Sequence, residues 1–155
     1  MSNRCYNNTI EQMMTGGLDI GAGSDVRCLL LGGAGNVYVF DPDDEHLDDL
    51  TLGTNELSGT GYARQAGTGE AVTQDDTNDR VTFDLNDVAF GTLNADNGDI
   101  DAVVLYEEAG GADATRVLVA YFDDLNPALP FTTDGGTFTV TWNALGVIHA
   151  TSPAA

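Results

Sequence analysis

Ala102-Val103-Val104-Leu105-Tyr106 and Val117-Leu118-Val119-Ala120-Tyr121-Phe122 are apolar at every position. A strand turns successive side chains to opposite faces, so an unbroken apolar run predicts a strand covered on both sides. The polar connection Glu107 to Thr115 separates the two runs and predicts antiparallel neighbours, with Asn97-Gly98 as a tight turn before the first. One face of this pair belongs in a core. The other needs a cover, supplied either by an N-terminal helix lying across the sheet or by another subunit, which would make the chain a homo-oligomer.

Outward from this centre the chain reads as short strands between turn residues. Val81 and Phe83 alternate with Arg80, Thr82 and Asp84, and Phe138, Val140 and Trp142 alternate with Thr137, Thr139 and Thr141, so each predicts a strand with one dry and one wet face. Val26 to Leu31 and Asn36 to Phe40, joined by Gly32-Gly33-Ala34-Gly35, predict a hairpin. Weaker strands fall around Tyr62 to Gln65 and Glu70 to Gln74. Tyr6, Ile10, Met13 and Met14 carry the spacing of a short amphipathic helix over about 6–16, closed by Gly16-Gly17. The expected fold is all-β: an antiparallel β-sandwich of about eight short strands with one short N-terminal helix. It forms a single domain over 1–155, with the strands from about 26 to 150.

The charge is extreme. The chain has 155 residues, 25 Asp+Glu against 5 Lys+Arg, and a net charge of -20. Arg4, Arg27, Arg64, Arg80 and Arg116 are its cations, and it has no lysine. Such a surface repels phosphates, so neither nucleic acid nor an anionic membrane is an expected partner. Like charges at this density oppose compaction in dilute buffer, but at about 1 M salt the screening length falls to roughly 3 Å. The composition therefore predicts a halophilic source. The N-terminus lacks the apolar core of a signal peptide, and no run approaches a membrane span, which predicts a soluble product.

Chemistry is harder to find. The histidines are His46 and His149, no serine sits in a nucleophile elbow, and the two cysteines, Cys5 and Cys28, read as buried thiols. No enzymatic motif is present, and no cofactor is expected beyond a bound Ca, Mg, Na or K ion. The segment for such an ion is Asp41-Pro42-Asp43-Asp44-Glu45-His46-Leu47-Asp48-Asp49-Leu50. If it folds back on itself, Asp41, Asp43, Asp44, Glu45 and Asp48, with Asp49, gather oxygen ligands around a cation. The competing expectation is a solvated surface excursion holding one helical turn, with Leu47 and Leu50 inward. Asn94 to Asp101 superficially suggests a calcium loop but fails on register, because Leu93 and Ala95 fall where ligands are required.

Several separated phrases recur in a fixed order. They are the Tyr6-Asn7 helix ending in Gly17-Leu18-Asp19, the strand Val26 to Leu31, the acidic phrase from Pro42 to Leu50, and Gly59-Thr60-Gly61-Tyr62. Asn78 to Asp84, Asp87 to Phe90, the two apolar strands, and Phe138-Thr139-Val140-Thr141-Trp142-Asn143 follow. Together they resemble a family of small β-rich proteins encoded among the structural genes of tailed viruses. The acidity and missing lysines set this chain apart and point to a virus of a halophilic archaeon.

The resemblance implies a virion structural protein, a head-associated decoration or accessory protein packed in many copies on the capsid. It would be assembled in the host cytoplasm, with other virion proteins and copies of itself as partners. Tyr6, Ile10, Met13 and Met14, with the outer faces of the central strands, are the expected protein contacts. A tail or baseplate component is the alternative within this class. A carbohydrate-binding β-sandwich module, marked by Trp142 and Tyr62, is the alternative outside it, although the alternation of Trp142 with Phe138 and Val140 places it in the core.

Overall fold

A computed structural model describes residues 3–33, 38–108 and 110–151. Strands account for 38% of the chain and helices for 16%, so the fold is mostly β, and every strand pairing is antiparallel. In chain order the strands are β1 (Arg4–Cys5), β2 (Val26–Gly32), β3 (Gln65–Ala66), β4 (Ala71–Asp75), β5 (Arg80–Asp84) and β6 (Val88–Thr92). They continue with β7 (Asp99–Glu107), β8 (Val117–Phe122), β9 (Phe131–Thr132), β10 (Thr137–Val140) and β11 (Ile148–Thr151). The helices are α1 (Asn7–Thr15) and the single turn α2 (Leu52–Asn55).

The two doubly apolar runs form the centre of the largest sheet. Its order is β1-β8-β7-β2-β3, with β9 also paired to β7. β7 and β8 are antiparallel neighbours, as the sequence predicts, with Val104 opposite Tyr121 and Leu105 opposite Ala120. β10 and β6 make a second sheet, and β11-β5-β4 a third. Ala95–Asn97 form a 3₁₀ turn that ends at Gly98 with φ 73, a left-handed value glycine adopts without penalty, and this turn launches β7.

The period of two divides each central strand between two cores. Val26, Cys28 and Leu30 of β2 and Val103 and Leu105 of β7 join Phe83, Val88, Phe90, Phe138, Val140 and Trp142 of the other sheets. Leu29, Leu31, Ala102, Val104, Tyr106, Leu118 and Tyr121 point the opposite way into a second cluster, where every one is buried.

That second cluster corrects one expectation. The outer faces of the central strands are not open contact surfaces, because the chain covers them itself with Tyr6, Leu47 and Leu50, aided by Tyr38, Phe40 and Leu52. The cover is stitched to β8: the Leu47 N–H donates to the Arg116 carbonyl at 3.1 Å, and the Leu118 N–H to the Glu45 carbonyl at 3.0 Å. The acidic segment thus turns inward at Leu47–Leu50, a 3₁₀ turn with both leucines fully buried. The expected hairpin partner of β2 is also replaced. Positions 34–37 lie outside the described residues, Tyr38 to Phe40 form no strand, and β2 pairs with β7 and β3. Both edges of β2 are taken, one by β7 along its length and the other by β3 and by the Leu31–Glu56 bridge.

Candidate interaction surface

α1 begins after Tyr6 and stops at Gly16, which takes a left-handed φ of 77 while donating its N–H to the Gln12 carbonyl. The expected contact stripe splits into three environments. Tyr6 is fully buried, with its ring 5.0 Å from Phe40 and its hydroxyl 3.4 Å from that of Tyr38. Met13 is half-buried against the first core, whereas Ile10 and Met14 are 39% and 82% exposed. The helix docks through Thr9, whose hydroxyl donates to the Leu118 carbonyl. Tyr6 therefore leaves the contact surface and belongs to the second core.

In the third sheet Val72 pairs with Phe83 and Phe83 with Ile148, while Gln74 pairs with Val81 and Val81 with Ala150. Both rows lie on the sheet face turned towards α1. Leu18, Ile20 and Met13 line a groove of about 310 Å³ together with Val72, Phe83 and Ile148 of the first row and Val81 and Ala150 of the second. There the cover runs out: Val72 is 51% exposed and Val81 45%. Val81 is thus not on a dry face, because the sheet extends beyond the residues that would dry it. A second hollow of about 320 Å³ shares Val81 and Ala150 and is lined by Asp75, Asp76, Asp79 and Arg80. Asp19 joins the first groove. Arg80 donates through Nε to Asp75 Oδ2 at 3.1 Å, so the rim's guanidinium is already paired.

The acidic segment spends its carboxylates on its own backbone and neighbours. Asp49 Oδ2 accepts the N–H groups of Glu45 and His46, each at 2.9 Å, which holds its carboxyl below the ordinary aspartate range. Asp41 accepts the Asp43 N–H at 3.0 Å, and Asp43 accepts the Asn7 amide at 2.9 Å. Asp44 accepts the Tyr38 hydroxyl at 2.8 Å, and burial, with Asp41, Asp49 and Asp43 nearby, raises its carboxyl. Glu45 and Asp48 are exposed. Among the described residues no three His, Cys, Asp or Glu side chains are placed to hold a metal ion.

A charged cluster that sequence reading missed closes one end of the second core. Arg64 forks onto Glu56, with Nε and Nη2 each 2.8 Å from its oxygens, and gives Nη1 to Asp113 at 2.9 Å. Arg116 reaches Asp113 at 2.6 Å and Glu108 at 2.7 Å, and Arg27 donates to Asp25 at 2.9 Å. These hydrogen bonds, Arg64's first, hold the Asp113 carboxyl below its usual range. Tyr62 joins through its hydroxyl, which donates to Glu56 at 2.7 Å. Bidentate, partly desolvated pairs of this kind fix geometry as well as charge. The only cue in the sequence is the scarcity of arginine.

The remaining candidates are placed as follows. Trp142 is buried, with Nε1 donating to the Asn86 carbonyl at 3.0 Å, and Tyr62 stacks on Phe90 with centroids 6.2 Å apart, so neither offers a sugar an open aromatic face. Cys5 and His149 line one cleft of about 270 Å³, but burial pushes the Cys5 thiol up, away from the thiolate a nucleophile requires. Both cysteines are free, and Cys28 is buried. Among the described residues no helix is long and apolar enough to cross a membrane. No family model, no curated protein and no solved structure matches the chain.

Proposed function

We propose that this protein is a virion structural protein of a tailed virus, working by protein contact rather than by catalysis. One observation carries the contact role: Val72 and Val81 stand half-exposed at a groove that Met13, Leu18 and Ile20 also line. Apolar side chains grouped at a groove mark binding surfaces more often than isolated ones do. The virion assignment itself rests on the ordered phrases that resemble the tailed-virus family. We read the three sheets as a sandwich, with the largest sheet packed through the first core against the two smaller ones. Such a rigid body loses little conformational entropy on docking, and many weak identical contacts add up on a symmetric particle.

The head is the proposed location, with the tail or baseplate as the competing one. The acidic surface faces the saline medium of a halophilic host, and melting temperature is expected to rise between low salt and about 1 M KCl. Purified particles test the assignment. Band intensity on a gel is expected to give a copy number near that of the shell protein. A copy number at the level of a tail ring transfers the protein to the tail, and absence from particles refutes the reading.

A further inference from the structure

The contact surface has an open edge as well as an apolar floor. Among the described residues β4 is the terminal strand of its sheet and pairs only with β5. Within β4, Ala71 to Gln74 carry neither proline nor charge, devices that normally keep an edge from accepting another strand, and the one charged residue, Asp75, stands at the strand's end paired with Arg80. A strand added to this edge continues the rows Val72-Phe83-Ile148 and Gln74-Val81-Ala150, so its alternate side chains meet an apolar face. The surroundings are anionic: Asp19, Asp75, Asp76 and Asp79 line the two hollows, against His149 and an Arg80 already paired with Asp75.

From this we infer that β4 receives an extended segment of another protein, with apolar residues at alternate positions and lysine or arginine at its ends. A second copy of this chain does not supply that chemistry. It has no lysine, and each of its five arginines lies in an ion pair within the chain. The inference rests on the contact role proposed above and names the partner's chemistry.

The probe is the capped peptide Lys-Lys-Val-Thr-Val-Thr-Lys-Lys, titrated into the full chain at the lowest salt that keeps it folded and followed by NMR. Shifts are expected at the Ala71–Asp75 amides and at the Val72, Val81 and Ala150 methyls. Binding is expected to weaken about tenfold or more when the lysines become glutamates, when the valines become serines, or in the V72S/V81S variant. Equal binding of either altered peptide or of the variant overturns the inference. So does an absence of shifts, or a shift pattern spread over Asp41 to Asp49. Co-sedimentation with particles separates this from the functional reading. If the native chain sediments and V72S/V81S sediments equally, the groove fails and the virion role stands. If the peptide binds but the native chain does not sediment, the virion role fails and the groove stands.

Discussion

The two apolar surfaces of this molecule differ in who covers them. Leu29, Leu31, Val104 and Leu118 lie beneath the segment from Tyr38 to Leu52, which the same chain folds over them, and none retains exposure. Val72 and Val81 also lie on a paired sheet, yet beside Leu18, Ile20 and Met13 they remain 51% and 45% exposed. An apolar strand therefore does not by itself signal a missing partner. What matters is whether a segment elsewhere in the chain can be anchored across it, and here backbone bonds from residues 45–47 to β8 supply that anchor.

The largest expected effects come from uncovering the closed surface. Leu50→Ala or Leu47→Ala removes a fully buried side chain from the cover and is expected to cost about 2–5 kcal/mol in denaturant unfolding at constant salt. Next comes the charged closure. Arg64→Ala leaves Glu56 without its fork and Asp113 held by Arg116 alone, an expected loss of about 1–3 kcal/mol. Arg64→Lys recovers only part of it, because an ammonium cannot hold both carboxylates in that geometry.

Acid tests both this closure, through Asp113, and the cover, through Asp49 and Asp44. Asp113 and Asp49 titrate below their usual value of 3.8 in the folded chain, so their contribution is complete above that value and is lost as pH falls through the folded values. Asp44 carries the opposite sign: its raised carboxyl makes the ionised form unfavourable at neutral pH. Asp44→Asn is expected to raise the melting temperature at pH 7, with the gain shrinking as pH falls through the folded value. The smallest stability effect belongs to the open surface, where V72S/V81S is expected to change unfolding free energy by about 0.5 kcal/mol or less per site.

The strands were legible where one physical rule acted alone. Alternation located β5 and β10, unbroken apolar runs located β7 and β8, the hairpin reading located β2 though not its partners, and Gly16 marked the end of α1. The cover was not legible as a whole. Leu47 and Leu50 read as inward, but Tyr38, Phe40 and Leu52 follow no period that a helix or strand imposes. The contact stripe on α1 misled because Tyr6 precedes the helix and turns towards Phe40, while Met14 faces away from the body. Acidic spacing pointed to Asp41, Asp43, Asp44, Glu45 and Asp48 as oxygen ligands; it did not show that Asp41, Asp43 and Asp44, with Asp49 beside them, accept N–H and hydroxyl groups of the chain. Arg27, Arg64 and Arg116 converge through strand pairing and loop placement, which no local pattern encodes.

Side-chain footprinting by hydroxyl radicals, on the isolated chain and on purified particles, tests most directly the claim that one surface is closed and the other waiting. In the isolated chain, Met14, Val72 and Val81 are expected to label while Leu29, Leu31 and Leu118 do not, and on particles Val72 and Val81 are expected to become protected. Labelling of Leu29, Leu31 and Leu118 in the isolated chain, or unchanged labelling of Val72 and Val81 on particles, contradicts it.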